Sequence, residues 1–300
     1  MPAQRGYATG NFVLMLGTTS CGLLKSISGG GATAEVISEN GPDHFTRKNL
    51  GHVRYEDISL DVSFSADKAL WDWVTASWDA KFQRKDGSIA VCNYNMEVQS
   101  QREFRSALLT ETTFPALDAA SKDPGYVRLK LSPEIVTVKK GSGKLSGNYA
   151  KASSLFMPRN FRLQIDGLDC TKVSRIDSFT VKQAVAIDDV GEARSYAKEP
   201  GRIEFPNLRI TLAEVAAQSW RDWMEKFVIE GNNGPESEKN GVLTFLSPNL
   251  KTELAKIELS HLGIFKLSED AVAAGSEGIH RVTAELYCEE MKFQPLAGTK

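Results

Sequence analysis

The chain repeats itself, and a tandem repeat constrains a fold more than any other feature of a sequence. Asn11-Phe12-Val13-Leu14-Met15-Leu16 returns 149 residues later as Asn160-Phe161-Arg162-Leu163-Gln164-Ile165. The same offset pairs Cys21 with Cys170 and Ile27 with Ile176. At an offset of 150, Ile58, Leu60 and Val62 meet Leu208, Ile210 and Leu212, and Asp72-Trp73 meets Asp222-Trp223. At 154, Asp86-Gly87 meets Asn240-Gly241, with Ile89 and Val91 against Leu243 and Phe245. At 155, Val127, Leu129 and Leu131 meet Val282, Ala284 and Leu286. The offset drifts slowly and the order is kept, which is the pattern of a duplication with small insertions.

Two domains follow, residues 1–138 and 160–300. Residues 139–159 between them are rich in Gly, Ser and Lys and lack periodicity, so they read as a solvated linker. Within each copy the matched segments alternate apolar and polar residues, the period of half-buried strands. One segment breaks to helical spacing. Trp220, Trp223, Met224 and Phe227 stand at i, i+3, i+4 and i+7, against Leu70, Trp73, Val74 and Ser77 in the first copy. Trp73, Val74, Trp223 and Met224 are therefore expected as core-facing helix residues. The fold class expected is mainly β: two tandem barrels or sandwiches, each with one helix, and not a doubly wound sheet. Each copy also carries a long segment at the same place, residues 29–57 and 180–207. Long segments of this kind are usually functional or disordered, and one at the same place in both copies favours function. They make Asn40, Asp43, Arg47 and Lys48, with Asp188, Asp189, Glu192 and Arg194, candidate assembly residues.

Chemistry is sparse. No Gly-x-Ser-x-Gly elbow occurs, no His-Glu-x-x-His, and none of the four histidines has zinc spacing. Gly141-Ser142-Gly143-Lys144 lacks both the upstream glycine and the following Ser or Thr of a phosphate loop. Adjacent carboxylates such as Asp188-Asp189 point to opposite faces of a strand. The five tryptophans lack the interleaved basic stripe of a nucleic-acid platform. No enzyme activity, cofactor or metal is expected. The net charge of −2 gives no general attraction to nucleic acid or to anionic membrane. The four cysteines form no C-x-x-C pair and read as free thiols in strands. No run approaches the roughly 18 apolar residues of a membrane span, and the longest near the start is Phe12 to Leu16. The expectation is a chain made in the cytoplasm without a membrane anchor.

Leu70-Trp71-Asp72-Trp73, the charged Arg84-Lys85-Asp86-Gly87 and the strand Ile89-Ala90-Val91 come in that order. A stretch from Phe104 to Phe114-Pro115-Ala116-Leu117-Asp118-Ala119 follows, and the second copy has Trp220-Arg221-Asp222-Trp223 in place of the helix motif. This series resembles the tail tube protein family of contractile-tailed phages and phage-tail-like contractile injection systems. The resemblance implies a β-barrel or sandwich with one helix, joined side by side into six-domain rings that stack into a tube, partly through the long loop. Its implied partners are the chain itself and other tube, sheath or baseplate proteins, within a phage tail or phage-tail-like particle. With two copies per chain, three chains complete one ring, or six form a double layer. Duplicated domains also suit a tube initiator, where a sixfold tube meets a threefold hub. A ligand- or carbohydrate-binding β-sandwich module is the alternative reading.

Overall fold

The structure, a computed structural model, describes residues 10–145, 156–188, 196–270 and 279–296. The first repeat runs β1 (Asn11–Leu16), β2 (Thr19–Gly29), β3 (Ala32–Asn40), β4 (Thr46–Tyr55), β5 (Ile58–Val62) and α1 (Lys68–Trp78). It continues through β6 (Lys85–Cys92), β7 (Val98–Phe114), β8 (Leu117–Asp118), β9 (Val127–Ser132) and β10 (Ile135–Lys140). In β5 and β9 the alternation holds: Ile58, Leu60, Val62, Val127, Leu129 and Leu131 are fully buried. The helix starts where Asp67 caps it, its carboxylate accepting from the Ala69 N–H at 2.9 Å. Leu70, Trp71, Trp73 and Val74 then fall on its buried side.

Strands β7, β6, β1, β2, β5 and β9 pair in that order, and β9 pairs back to β7. That is a closed six-stranded antiparallel barrel, which leaves no unpaired edge around its girth.

The second repeat is β11 (Phe161–Ile165), β12 (Val173–Ile176), β13 (Phe179–Asp188), β14 (Ala197–Glu204) and β15 (Leu208–Ala213). Then come α2 (Gln218–Met224), extended by a π-helical turn over Glu225–Ile229, and β16 (Lys239–Leu246), β17 (Glu253–Glu269) and β18 (Arg281–Pro295). The residue pairings reproduce those of the first repeat. Leu14 opposes Ile89 as Leu163 opposes Leu243. Leu60 opposes Leu129 as Ile210 opposes Ala284. Even the irregularities recur: β7 slips register at Leu109/Glu111 and β17 at Ile264/Lys266. Ser106 and His261, which correspond, both have positive φ. The Glu111–Lys130 ion pair returns with its charges exchanged as Lys266–Glu285. A register shared residue for residue, bulges included, is what a duplicated barrel predicts.

The second barrel is open at one seam. Its order is β11-β16-β17-β18-β15-β12, and β11 does not pair β12. The backbone that would continue β12 is held elsewhere. The Asp169 N–H donates to Ser219 Oγ, and Trp220 Nε1 donates to the Asp169 carbonyl at 3.0 Å. Drawn toward α2, this segment leaves a cleft of about 670 Å³ lined by Phe161–Thr171 and Val173. Cys170 lies on it outside any strand, whereas Cys21, Cys92 and Cys288 are buried strand residues.

Two expectations change. The long segments are not loops: they are the hairpins β3–β4 and β13–β14. Most residues of β3 and β4 are exposed on both faces, so no apolar alternation announces them. The connector is not solvated throughout either. Strand β10 runs to Lys140, and Phe156 is fully buried against Phe64 and Phe245.

Candidate assembly surfaces

The two repeats meet through strands. β13 adds to the outer edge of β7, pairing Phe179 with Phe114 and Lys182 with Glu111. β12 adds to β8, pairing Ile176 with Leu117. The barrel sheet of the first repeat thereby continues into the hairpin of the second. Behind this joint lies an aromatic cluster. Trp71 stacks on Phe64 at 5.5 Å and meets Phe293 at 5.5 Å. Phe114 stacks on Phe179 at 5.1 Å and on Phe245 at 5.2 Å. Helix α1 of the first repeat thus rests on β18 of the second, and Thr75 Oγ1 donates to the Phe293 carbonyl.

A polar set borders the joint. Lys198 of β14 is buried, and its ammonium donates to Ser132 Oγ at 2.8 Å, with Asp57 at 3.9 Å. Burial pushes its pKa below the usual lysine value, against the pull of Asp57 and Glu134. The Lys198 N–H donates to Glu134 Oε1 at 2.9 Å. Arg84 donates to the Lys198 carbonyl at 2.8 Å and to Glu199 Oε1 at 2.6 Å. Of these residues the sequence reading quoted only Arg84, as part of a charged turn. The aligned lysines Lys48 and Lys198 are the signal that could have found them.

Of the hairpin candidates, Asn40, Asp43, Arg47 and Lys48 sit together and exposed at the outer end of β3–β4. Arg47 Nη2 donates to Asp43 Oδ2 at 2.9 Å and holds the Asp43 carboxyl below its usual range. Asn40 Oδ1 accepts from Thr46 Oγ1 at 3.2 Å. This hairpin pairs with no other strand among the described residues, and it exposes Val36, Ile37, Phe45 and Leu50. Asp188 ends β13, while Asp189, Glu192 and Arg194 lie outside the described residues. Of the helix candidates, Trp73, Val74 and Trp223 are buried and Met224 is partly buried.

The face of the second repeat that corresponds to the joint is open. Strand β17 pairs β18 over Lys266–Glu269 but has no strand on its other edge there among the described residues. The aromatic residues of the joint are replaced. Glu214 stands for Phe64, Arg221 for Trp71 and Glu269 for Phe114. Arg221 Nη2 binds both carboxylates, at 3.1 and 2.7 Å.

A family model described as T4-like virus tail tube protein gp19 matches residues 8–137. That match spans nearly the whole of the first repeat. No curated protein matches the chain. Among solved structures, the sheath–tube complex of the extracellular contractile injection system PVC is 21% identical. It covers 46% of this chain and 94% of its own, with a TM-score of 0.42. The tube-terminating cap of the anti-feeding prophage is 23% identical over 47% of this chain and 95% of its own, at a TM-score of 0.41. The anti-feeding prophage baseplate is 15% identical over 47% and 93%, at 0.34. The repeat that matches this model is followed by a second barrel of matching strand register. Among the described residues no helix is long and apolar enough to cross a membrane.

Proposed function

We propose that this chain is a structural protein that forms or initiates the inner tube of a phage tail or phage-tail-like contractile injection particle. It takes residues 1–138 and 160–300 as the two ring positions, joined by 139–159. The observation that carries the reading is the joint inside the chain. A hairpin of one repeat extends the barrel sheet of the other, and both halves of that contact recur unused. Among the described residues, the β3–β4 hairpin of the first repeat pairs with no other strand, although His52 and Arg54 pack on Tyr196, and the Lys266–Glu269 edge of the second has no strand beside it. By the register of the two repeats, Gly30–Thr33 of one chain would pair Lys266–Glu269 of the next, as Phe179–Lys182 pairs Glu111–Phe114. Such a head-to-tail contact closes into a ring when its rotation allows, and a closed ring covers every such edge.

Three chains then give six domains, the number the family resemblance implies. A linker of about 20 residues spans at most some 66–72 Å when extended, enough to join neighbours in one ring. Mass photometry tests this reading. Assemblies of three times 32.9 kDa support the single ring, and six times supports two stacked rings. A monomer at every concentration refutes ring assembly by the chain alone and favours a binding module.

A further inference from the structure

We propose that Lys48 of one chain docks on a polar cluster of Glu238, His261, Tyr287 and Glu289 in a second copy, forming a charged latch beside the strand joint. This deepens the ring reading and rests on it.

The cluster lies on the second barrel beside the free β17 edge. His261 Nδ1 is 2.8 Å from Glu238 Oε2, and the Tyr287 hydroxyl donates to Glu238 Oε1 at 2.7 Å. Ligand atoms of Glu238, His261 and Glu289 lie within 4.8 Å of one another. Glu238 is largely buried, with its side chain 10% exposed. Among the described residues no lysine or arginine pairs with Glu238 or Glu289, and burial and these carboxylates push the Tyr287 hydroxyl up to about 12. Two carboxylates gathered without a lysine or arginine leave a local negative charge for a partner to neutralise.

The first repeat shows what occupies this place. Register equates Tyr287 with Ser132, Glu289 with Glu134 and Glu238 with Arg84. Those three are the residues that hold Lys198 of the β14 strand within the chain. The hairpins also correspond residue for residue. Ser38 opposes Lys48 as Ile187 opposes Lys198, and both hairpins slip register at the same point. A β3–β4 hairpin docked as β13–β14 is docked brings Lys48 to Tyr287 and Glu289. Lys48 itself is exposed and has no ion pair among the described residues.

The substitutions are matched on both sides. Within the chain, Arg84 binds Glu199. Across chains, Glu238 takes the place of Arg84 and Asn49 that of Glu199. The incoming acid that would repel Glu238 is absent, and the incoming lysine is kept. Arg47, which replaces Ala197, adds a second positive charge on the same strand. The partner is therefore a second copy of this chain, recognised by charge as well as by backbone.

Charge reversal tests the latch. Lys48→Glu is exposed and leaves the fold intact by circular dichroism. It should weaken ring assembly by about tenfold or more, because it sets like charges across the contact. The same chain carrying Lys48→Glu and Glu289→Lys should recover most of the loss. If wild type forms rings and Lys48→Glu forms them equally well, the latch is wrong and the ring reading stands. If wild type stays monomeric at every concentration, both fall. Loss of assembly without recovery in the double variant also overturns the pairing with Glu289.

Discussion

Trp73 and Trp223 occupy the same helix position in the two barrels, yet their indoles are satisfied differently. Trp73 is 1% exposed and its Nε1 donates to the Gln83 carbonyl at 2.9 Å. Trp223 is 6% exposed and its Nε1 is buried without a partner. Replacing either by Ala removes a whole core aromatic, a loss of about 3–5 kcal/mol. Replacing each by Phe separates packing from hydrogen bonding. In Trp73→Phe the hydrogen bond to the Gln83 carbonyl is lost, which adds about 0.5–1.5 kcal/mol to a modest loss of ring volume. In Trp223→Phe the only polar atom removed was already unsatisfied, so its buried desolvation penalty disappears and offsets part of the lost volume. The ion Lys239, whose Nζ lies 5.5 Å over the Trp223 ring, keeps an aromatic face in both forms. The expected order of stability loss is Trp73→Phe well above Trp223→Phe, by about 1 kcal/mol or more. Urea unfolding followed by circular dichroism, at a concentration where the chain is not assembled, reads the order directly. Equal midpoints for the two Phe variants would refute the hydrogen-bond argument, and near-zero losses for both Ala variants would remove these helices from the core.

Two further outcomes follow from single groups. Burial raises the Asp61 pKa, but hydrogen bonds from Arg128 and Ser26 outweigh it and leave the carboxyl below its usual value. Asp61 therefore contributes stability above the unfolded carboxylate pKa, and that contribution is lost as pH falls through the lower folded value. Asp61→Asn should lower the melting temperature at pH 7 and flatten its acid dependence; an unchanged acid limb would show that the pair is inert. Burial also pushes the thiols of Cys21 and Cys288 up to about 12 and that of Cys170 to about 11, and it raises Cys92. Native protein at pH 8 should resist iodoacetamide and label fully in urea, as mass spectrometry would show; rapid native labelling of Cys21 or Cys288 would contradict their burial.

Strands with one face in a core were readable because alternation records that face. Ile58/Leu60/Val62 and Val127/Leu129/Leu131 are such strands, and their repeat partners locate the second barrel. The helix was readable from the same cause, since Trp73, Val74 and Trp223 turn inward at helical spacing. The hairpins were not. β3 and β4 pair only with each other, so both faces stay wet and no periodicity arises. The open seam also left no mark. β11 keeps the apolar positions of β1, and what separates it from β12 is a pair of hydrogen bonds, from the Asp169 N–H to Ser219 Oγ and from Trp220 Nε1 to the Asp169 carbonyl. Phe156 was hidden because Leu155-Phe156-Met157 is a single short apolar run in a connector without periodicity. The assembly residues Asp43, Arg47 and Lys48 were reached only as a region, because charge on a segment does not say which carboxylate it will face.

The difference between the two equivalent faces has a physical logic. The joint inside the chain forms once, as the protein folds, and has no need to persist as free surface. It carries Phe64, Trp71, Phe114 and Phe293, whose rings would make a large apolar patch if exposed. The corresponding open face must stay in water until another chain arrives. There Glu214, Arg221 and Glu269 form an ion triad, and exposed ion pairs contribute little to stability but keep a surface hydrated. An interface built this way binds through backbone pairing and complementary charge, so its assembly should respond to ionic strength. The aromatic joint should not, because salt screens exposed charges far more than buried apolar contact. On the ring assembly proposed above, one chain holds two versions of a single contact, one permanent and one reversible, and the residues exchanged between them are those that decide which it is.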